Sequence, residues 1–421
     1  MRIPLVLVLT LSAALSQAQQ PCPQAALQTA AQKVKDARSK LLAYTLSDEM
    51  DESVPPNLQA QIRTLKDALI ATADASAQCA SNQADPLAIQ AALASLLDAN
   101  KPLVIASSTA DKAPGASSHV APNSQVYGAD LKVTVTQPLS QPPVILVEFS
   151  FGICCGVDSM LLAYEVKDQR LHRVVRWQSS DYSDISGAFG DFFSYQVLPQ
   201  QQAPGQWLLA IAHGHPWCTS NMSAFEVDVL RPSTAPFQQT VFHDRRFYRR
   251  EIGPVMKPSP NGFQLRMTGN SLDMDIVMRP VIYRYQFAEG QLLRVQPIAV
   301  NGRDFVDEWL QSPWHESASW SAASNIAQLE AMHKSLETPS NGPSPNAADL
   351  PNLNYGPVRG CTDSPAHFQV ELDESWWANQ QLSHQKQIYF QIEQGRNAFT
   401  MLSVSAVADS HCTGANIMPK H

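Results

Sequence analysis

Charge, glycine and long apolar runs are what this chain has least of. Asp, Glu, Lys and Arg make up 16% of its 421 residues, and their formal sum is −8. An acidic total gives a nucleic-acid partner little electrostatic support. Past the first residues, no run approaches the roughly twenty apolar residues that span a bilayer. Glycine (18) is outnumbered by proline (30), which favours turns and extended edges over long helices. A Gly-x-Ser-x-Gly elbow, a Gly-rich phosphate loop and a dinucleotide fingerprint are all missing. These absences argue against nucleic-acid binding, membrane spanning and the common nucleotide-dependent enzymes, and they leave the cofactor unknown.

What is present begins with a leader. Arg2, the apolar run Ile3 to Leu15 and the small residues of Ser16-Gln17-Ala18 read as a secretory signal over residues 1–18. The run is too short for a stable anchor. Gln19-Gln20-Pro21 before Cys22 lacks the pattern of a lipid-attachment box. The expectation is a secreted or periplasmic protein with no transmembrane segment after cleavage. Apolar residues at 44% suit a folded chain with room for two or three domains.

Seven cysteines follow the leader: Cys22, Cys79, Cys154, Cys155, Cys218, Cys361 and Cys412. In an oxidising compartment all are disulfide candidates, and the odd count leaves one over. Cys22 opens one predicted helix and Cys79 closes the next, so an antiparallel hairpin brings them to one end. Cys361 and Cys412 bracket the closing segment. Cys218 is the natural partner of Cys154 or Cys155.

Periodicity divides the chain. Residues 19–106 read as helical. Leu27, Ala30, Val34, Ala37, Leu41 and Tyr44 form one stripe, and Leu58, Ile62, Leu65, Leu69 and Thr72 form a second. Asp85-Pro86 starts a third helix whose apolar face is Leu87, Ala91, Ala94 and Leu97. Residues 107–123 read as a linker. Residues 124–312 read as an antiparallel β-repeat domain. Each copy there has an extended piece, a turn, an apolar strand, a polar loop and two further strands. A helical connection over 313–337 and a second linker over 338–357 lead to a small disulfide-closed β unit over 358–421, itself a weaker fourth copy. The expected fold is therefore α+β, a three-helix region followed by a propeller-like β-repeat, with a β-sandwich as the alternative.

The loops of the first two copies hold the residues with chemical potential. His213 and His215, two apart on a strand, face the same side, and Cys155 or Cys154 offers a thiolate; this is a candidate zinc or copper set. Asp181 to Asp191 offers oxygen ligands without the calcium-loop spacing. Trp217, Trp376 and Trp377 are candidate ligand-binding aromatics, suited to sugar stacking. The cluster His243 to Arg250 reads as a solvated connection. The function expected is an exported binding or scaffolding protein for an extracytoplasmic protein or a glycan. The alternative is a metal-dependent hydrolase, or other metal enzyme, using the His213/His215 loop.

Overall fold

The computed structural model describes residues 22–44, 54–80, 85–100, 126–153, 156–168, 170–178, 193–200, 203, 205–215, 222–234, 237–249, 255–259, 261–276, 278–288, 291–336, 351–378 and 381–418. The leader expected over 1–18 and the linker over 107–123 lie outside them. The fold is α+β. Among the described residues it contains six α-helices and four antiparallel four-stranded sheets.

The N-terminal unit is a helical hairpin plus one. Helices α1 (Gln24–Leu42) and α2 (Pro56–Cys79) pack through Val34, Ala37 and Leu41 against Leu58, Ile62, Leu65 and Leu69. Cys22 and Cys79 are joined by a disulfide that closes 57 residues. Helix α3 (Pro86–Leu97) is capped by the Asp85 carboxylate, which accepts from the Leu87 N–H, with Pro86 in the first turn. Its buried face is Leu93 and Leu97, while Leu87 is 69% exposed. The helix is therefore turned from the expected stripe, because Leu93 replaces Leu87 on the side facing the core.

Each sheet is a meander of four strands in chain order. The first holds β1 (Lys132–Ser140), β2 (Pro143–Ile153), β3 (Gly156–Lys167) and β4 (Arg170–Gln178). The second holds β5 (Phe193–Pro199), β6 (Trp207–His215), β7 (Met222–Pro232) and β8 (Gln238–Arg249). The third holds β9 (Val255–Ser259), β10 (Gly262–Asn270), β11 (Met278–Ala288) and β12 (Gln291–Arg294). The fourth holds β13 (Asn352–Gly360), β14 (His367–Ala378), β15 (Gln381–Gln394) and β16 (Phe399–Ser405).

Strands with side chains alternating between two faces make the first three sheets a stack. Ile145, Val147 and Phe149 of β2 face the helices, whereas Val144 and Leu146 face Trp207, Leu209 and Ile211 of the second sheet. Leu208, Ala210 and Ala212 then turn to Phe263, Leu265 and Tyr283 of the third. Aromatic donors cross these apolar layers to carboxylates: Trp207 Nε1 to Glu165 (2.6 Å), Trp177 Nε1 to Asp228 (3.1 Å) and Tyr285 OH to Asp244 (2.9 Å). The stack does not close on itself, because the helices cover the outer face of the first sheet.

Two stretches differ from expectation. Residues 302–311, placed in the β-repeat by sequence, form helix α4 (Gly302–Gln311). Asn301 Oδ1 accepts from the Asp304 N–H at 3.0 Å and Asn301 Nδ2 donates to Asp304 Oδ2 at 2.8 Å, a reciprocal cap. Phe305, Val306 and Trp309 then bury against the fourth sheet, joined by α5 (Trp314–Ser317) and α6 (Ile326–Leu336). The second difference is β13, which begins at Asn352 inside the expected linker over 338–357. Tyr355 and Val358 turn inward there and hold the strand despite its polar neighbours. The Cys361–Cys412 disulfide ties the end of this sheet to the closing segment.

Replacing both Cys22 and Cys79 with Ser should lower stability by about 4 kcal/mol, the loop-closure entropy of a link across 57 residues. Urea titration of the purified chain reads this directly. A loss well under half of that value would mean that packing alone fixes the hairpin.

Candidate functional site: a polar cavity beside the third and fourth sheets

His213 lies buried on β6, opposite Glu226 of β7. Its Nε2 is 3.5 Å from Glu226 Oε2 and 3.7 Å from Asp228 Oδ2, and Trp177 meets its ring edge-on at 4.9 Å. His243 Nδ1 is 2.8 Å from Asp228 Oδ1, and Arg245 Nε is 3.6 Å from Glu226 Oε1. His213 and two members of the basic cluster thus share a pair of carboxylates within one sheet. Burial pushes the Asp228 carboxyl up, but hydrogen bonds with His213, His243 and Trp177 outweigh it and hold the group at about 2. Among the described residues, no group of three or more His, Cys, Asp or Glu is arranged to hold a metal ion. His215 continues β6 and pairs with Ala224. Cys154, Cys155, Trp217, Cys218 and the segment 181–191 lie outside the described residues.

Trp376 and Trp377 sit near the end of β14. Trp376 is half-buried against the His384 ring at 5.0 Å, and Trp377 is 49% exposed opposite Leu382. The β14–β15 register shifts between these two residues, so the regular alternation of the strand is interrupted there.

Among the described residues, two cavities that collect polar side chains stand out. The larger, about 600 Å³, lies between the hairpin end and the first two sheets. Its polar groups pair with one another except Arg173 Nε, which is buried with no hydrogen-bond partner among the described residues. Tyr164 OH donates to Asp74 at 2.9 Å, Arg173 Nη1 donates to Asp74 at 2.7 Å, and the Arg173 guanidinium lies 4.2 Å over the Phe237 ring.

The smaller cavity, about 230 Å³, is formed where β11, α4 and β13 meet. Arg279 of β11 donates through Nη2 to Glu308 Oε2 at 2.6 Å, and its Nε lies 3.3 Å from Asp307 Oδ2. Glu308 Oε1 also accepts from Arg294 Nη2 at 2.6 Å. Asp307 accepts from Ser271 Oγ at 2.6 Å, from the Leu272 N–H and from the Gln311 amide. Asp273 spends both oxygens on the N–H groups of Asp275, Ile276 and Tyr355, which accounts for it without a cation. Arg303 Nη2 donates to the Gly356 carbonyl at 2.7 Å.

Three donors in this wall stay unmet. Arg279 Nη1, Arg303 Nε and Tyr355 OH are buried with no hydrogen-bond partner among the described residues. Burial is the main force raising the Tyr355 hydroxyl well above the usual phenol range, with Asp307, Asp273 and Asp304 adding to it, so it remains a neutral O–H. Burial likewise pushes the Asp304 carboxyl up to about 6; Arg279 opposes the shift, while Asp307 and Glu308 add to it. A buried donor left unpaired costs about 1–3 kcal/mol, and among the described residues this wall brings three such donors together. Sequence reasoning missed these residues. The visible signal was three carboxylates, Asp304, Asp307 and Glu308, within five positions of a helix that also carries Phe305, Val306 and Trp309.

No family model matches the chain, and no curated protein matches its sequence. Among solved structures, an α-L-arabinanase of Penicillium chrysogenum complexed with arabinobiose aligns over 67% of each chain at 8% identity, with a TM-score of 0.23. A score of that size transfers neither fold nor function.

Two measurements follow from this geometry. The depressed Asp228 contributes stability that is complete above its unfolded value near 4 and lost as pH falls towards 2. Asp228→Asn should therefore narrow its gap to the parent between pH 4 and pH 2 in urea midpoints; a gap that stays constant would remove the ion-pair account. Tyr355→Phe removes an unpaired buried hydroxyl and should leave stability unchanged or raise it by about 1 kcal/mol. A fall of several kcal/mol would show that the hydroxyl has a partner.

Proposed function

We propose that the chain is an exported binding protein whose ligand site is the cavity beside β11, α4 and β13. One observation carries this reading: three buried donors in one wall have no hydrogen-bond partner. A rigid interior satisfies such groups or replaces them by apolar ones. A site that waits for a ligand keeps them. The cavity also has the composition of a binding pocket, with Ile276, Met278, Pro280, Val300 and Met418 around a few polar groups. Its volume lies below the roughly 300 Å³ at which drug-sized sites begin, so the ligand is small.

Export agrees with the leader-like first residues, the two disulfides and the absence of any described helix long and apolar enough to cross a membrane. The stacked meander sheets are an open, propeller-like arc that serves as the scaffold. Such an arc presents the fourth sheet and its helices as one wall of the pocket.

The test is a small-molecule screen by thermal shift and ligand-observed NMR, run in parallel on Val300→Trp. Val300 is 59% exposed and lines the rim, so an indole there fills the entrance without disturbing the core. Hits on the parent that vanish in the variant support the reading; hits unaffected by the variant, or none at all, remove it.

Asp304 adds a pH signature. Its folded value, about 6, lies above the unfolded one near 4, so the folded state binds more protons in that interval and stability falls as pH rises through it. Burial raises the carboxyl first, Asp307 and Glu308 on α4 add to it, and Arg279 on β11 and Arg303 on α4 oppose it. Asp304→Asn should flatten that decline between pH 4 and 6 in urea midpoints. An unchanged slope would mean that the carboxyl titrates normally.

A further inference from the structure

We infer that the cavity takes a small neutral molecule rich in hydroxyl groups, a monosaccharide or a polyol. The inference rests on the binding reading above and adds the ligand's chemical class. Charge decides first. The cavity wall carries two guanidiniums, Arg279 and Arg303, and two carboxylates, Asp304 and Asp307. Behind it, Glu308 is shared with Arg294, and Asp273 contributes a further negative charge already fixed by backbone N–H groups. The wall is balanced and its surroundings lean acidic. An additional anion enters against Asp304 and Asp307, and burying it there is costly.

Hydrogen-bond polarity decides second. The unmet groups, Arg279 Nη1, Arg303 Nε and Tyr355 OH, all donate. An ammonium ligand has three donors and no acceptor, so it answers none of them. A neutral ligand with acceptor oxygens answers them without adding charge. Asp304, on the same wall, accepts from the Asn301 amide through Oδ2 and keeps acceptor capacity on its other oxygen. A hydroxyl both donates and accepts through one oxygen, so two or three on a small ring meet the donors and the carboxylate together. Pro280 and Val300 supply apolar surface for the C–H face of such a ring.

Size agrees. About 230 Å³ holds a single ring rather than an oligomer. The ligand is therefore a free small molecule or one terminal residue of a longer chain.

The experiment is isothermal titration of the full exported chain with four probe classes: neutral hexoses and polyols, carboxylates of equal carbon number, primary amines, and small amides. Each is raised into the low millimolar range, and the series is repeated on Tyr355→Phe and Val300→Trp. The expected result is binding of a hexose or polyol, weakened roughly 3- to 10-fold by Tyr355→Phe and abolished by Val300→Trp. Binding confined to a carboxylate, amine or amide, and abolished by Val300→Trp, overturns the ligand class and leaves the binding reading standing. Sugar binding that ignores both substitutions places the ligand elsewhere and overturns the inference. No binding by any class overturns the inference and the binding reading together.

Discussion

Glu308 stands between two buried guanidiniums, Arg279 of β11 and Arg294 of β12, each at 2.6 Å from one of its oxygens. It projects from α4, so this one carboxylate ties the third sheet to the helix that carries the fourth. Arg294 is held further by Glu316 at 3.1 Å and lies between the rings of Tyr283 and Trp320, at 4.3 and 5.0 Å. Taking these charges out of water costs several kcal/mol each, and their mutual attraction repays that only when every donor and acceptor is placed well. The cluster therefore contributes more to a defined docking angle than to net stability. Losing one member leaves an uncompensated buried charge, which is strongly destabilising.

The other junctions are built differently. Between the first and second sheets, and between the second and third, the contact is apolar, with a few aromatic N–H and O–H groups reaching across to carboxylates. Such layers are tolerant of small shifts because burial has no direction. At the third sheet the apolar stack ends, and the face of β11 and β12 that meets α4 presents arginines. Directional pairs replace hydrophobic contact there, and the cavity forms beside them, where packing is governed by ion geometry rather than by shape.

Much of this architecture was legible in the residues. The stripes Val34-Ala37-Leu41 and Leu58-Ile62-Leu65-Leu69 are buried together, and the recurring strand units appear as four-stranded meanders. Asp85-Pro86 marked a helix start because capping is local chemistry. What was not legible depends on contacts distant in sequence. β13 looks like linker because Asn, Pro and Gly dominate its surroundings; only the pairing with β14 and the burial of Tyr355 and Val358 make it a strand. α4 is short, and its apolar face has meaning only against the fourth sheet. The candidate site was the least visible part. Arg279, Asp304 and Tyr355 are each ordinary in isolation, far apart along the chain, and joined only by the fold. His213 attracted attention through its spacing to His215, and its buried Nε2 lies 3.5 Å from Glu226 and 3.7 Å from Asp228.

The position of the cavity gives the proposed ligand binding a structural consequence. Its wall draws on β11 of the third sheet, on α4 and on β13 of the fourth. A molecule that pairs the unmet donors therefore bridges the elements that Glu308 already ties together. Without it, the junction holds unpaired donors beside a carboxyl that is half-protonated near pH 6. With it, the same groups become internal links between the third sheet and the fourth. On that proposal, binding energy at this site would also be docking energy for the last sheet, because a ligand that requires the assembled wall stabilises the assembled state by mass action. The three apolar-stacked sheets lack that dependence. On that proposal, occupancy would be felt at one junction of the molecule, the one whose docking angle rests on charge placement.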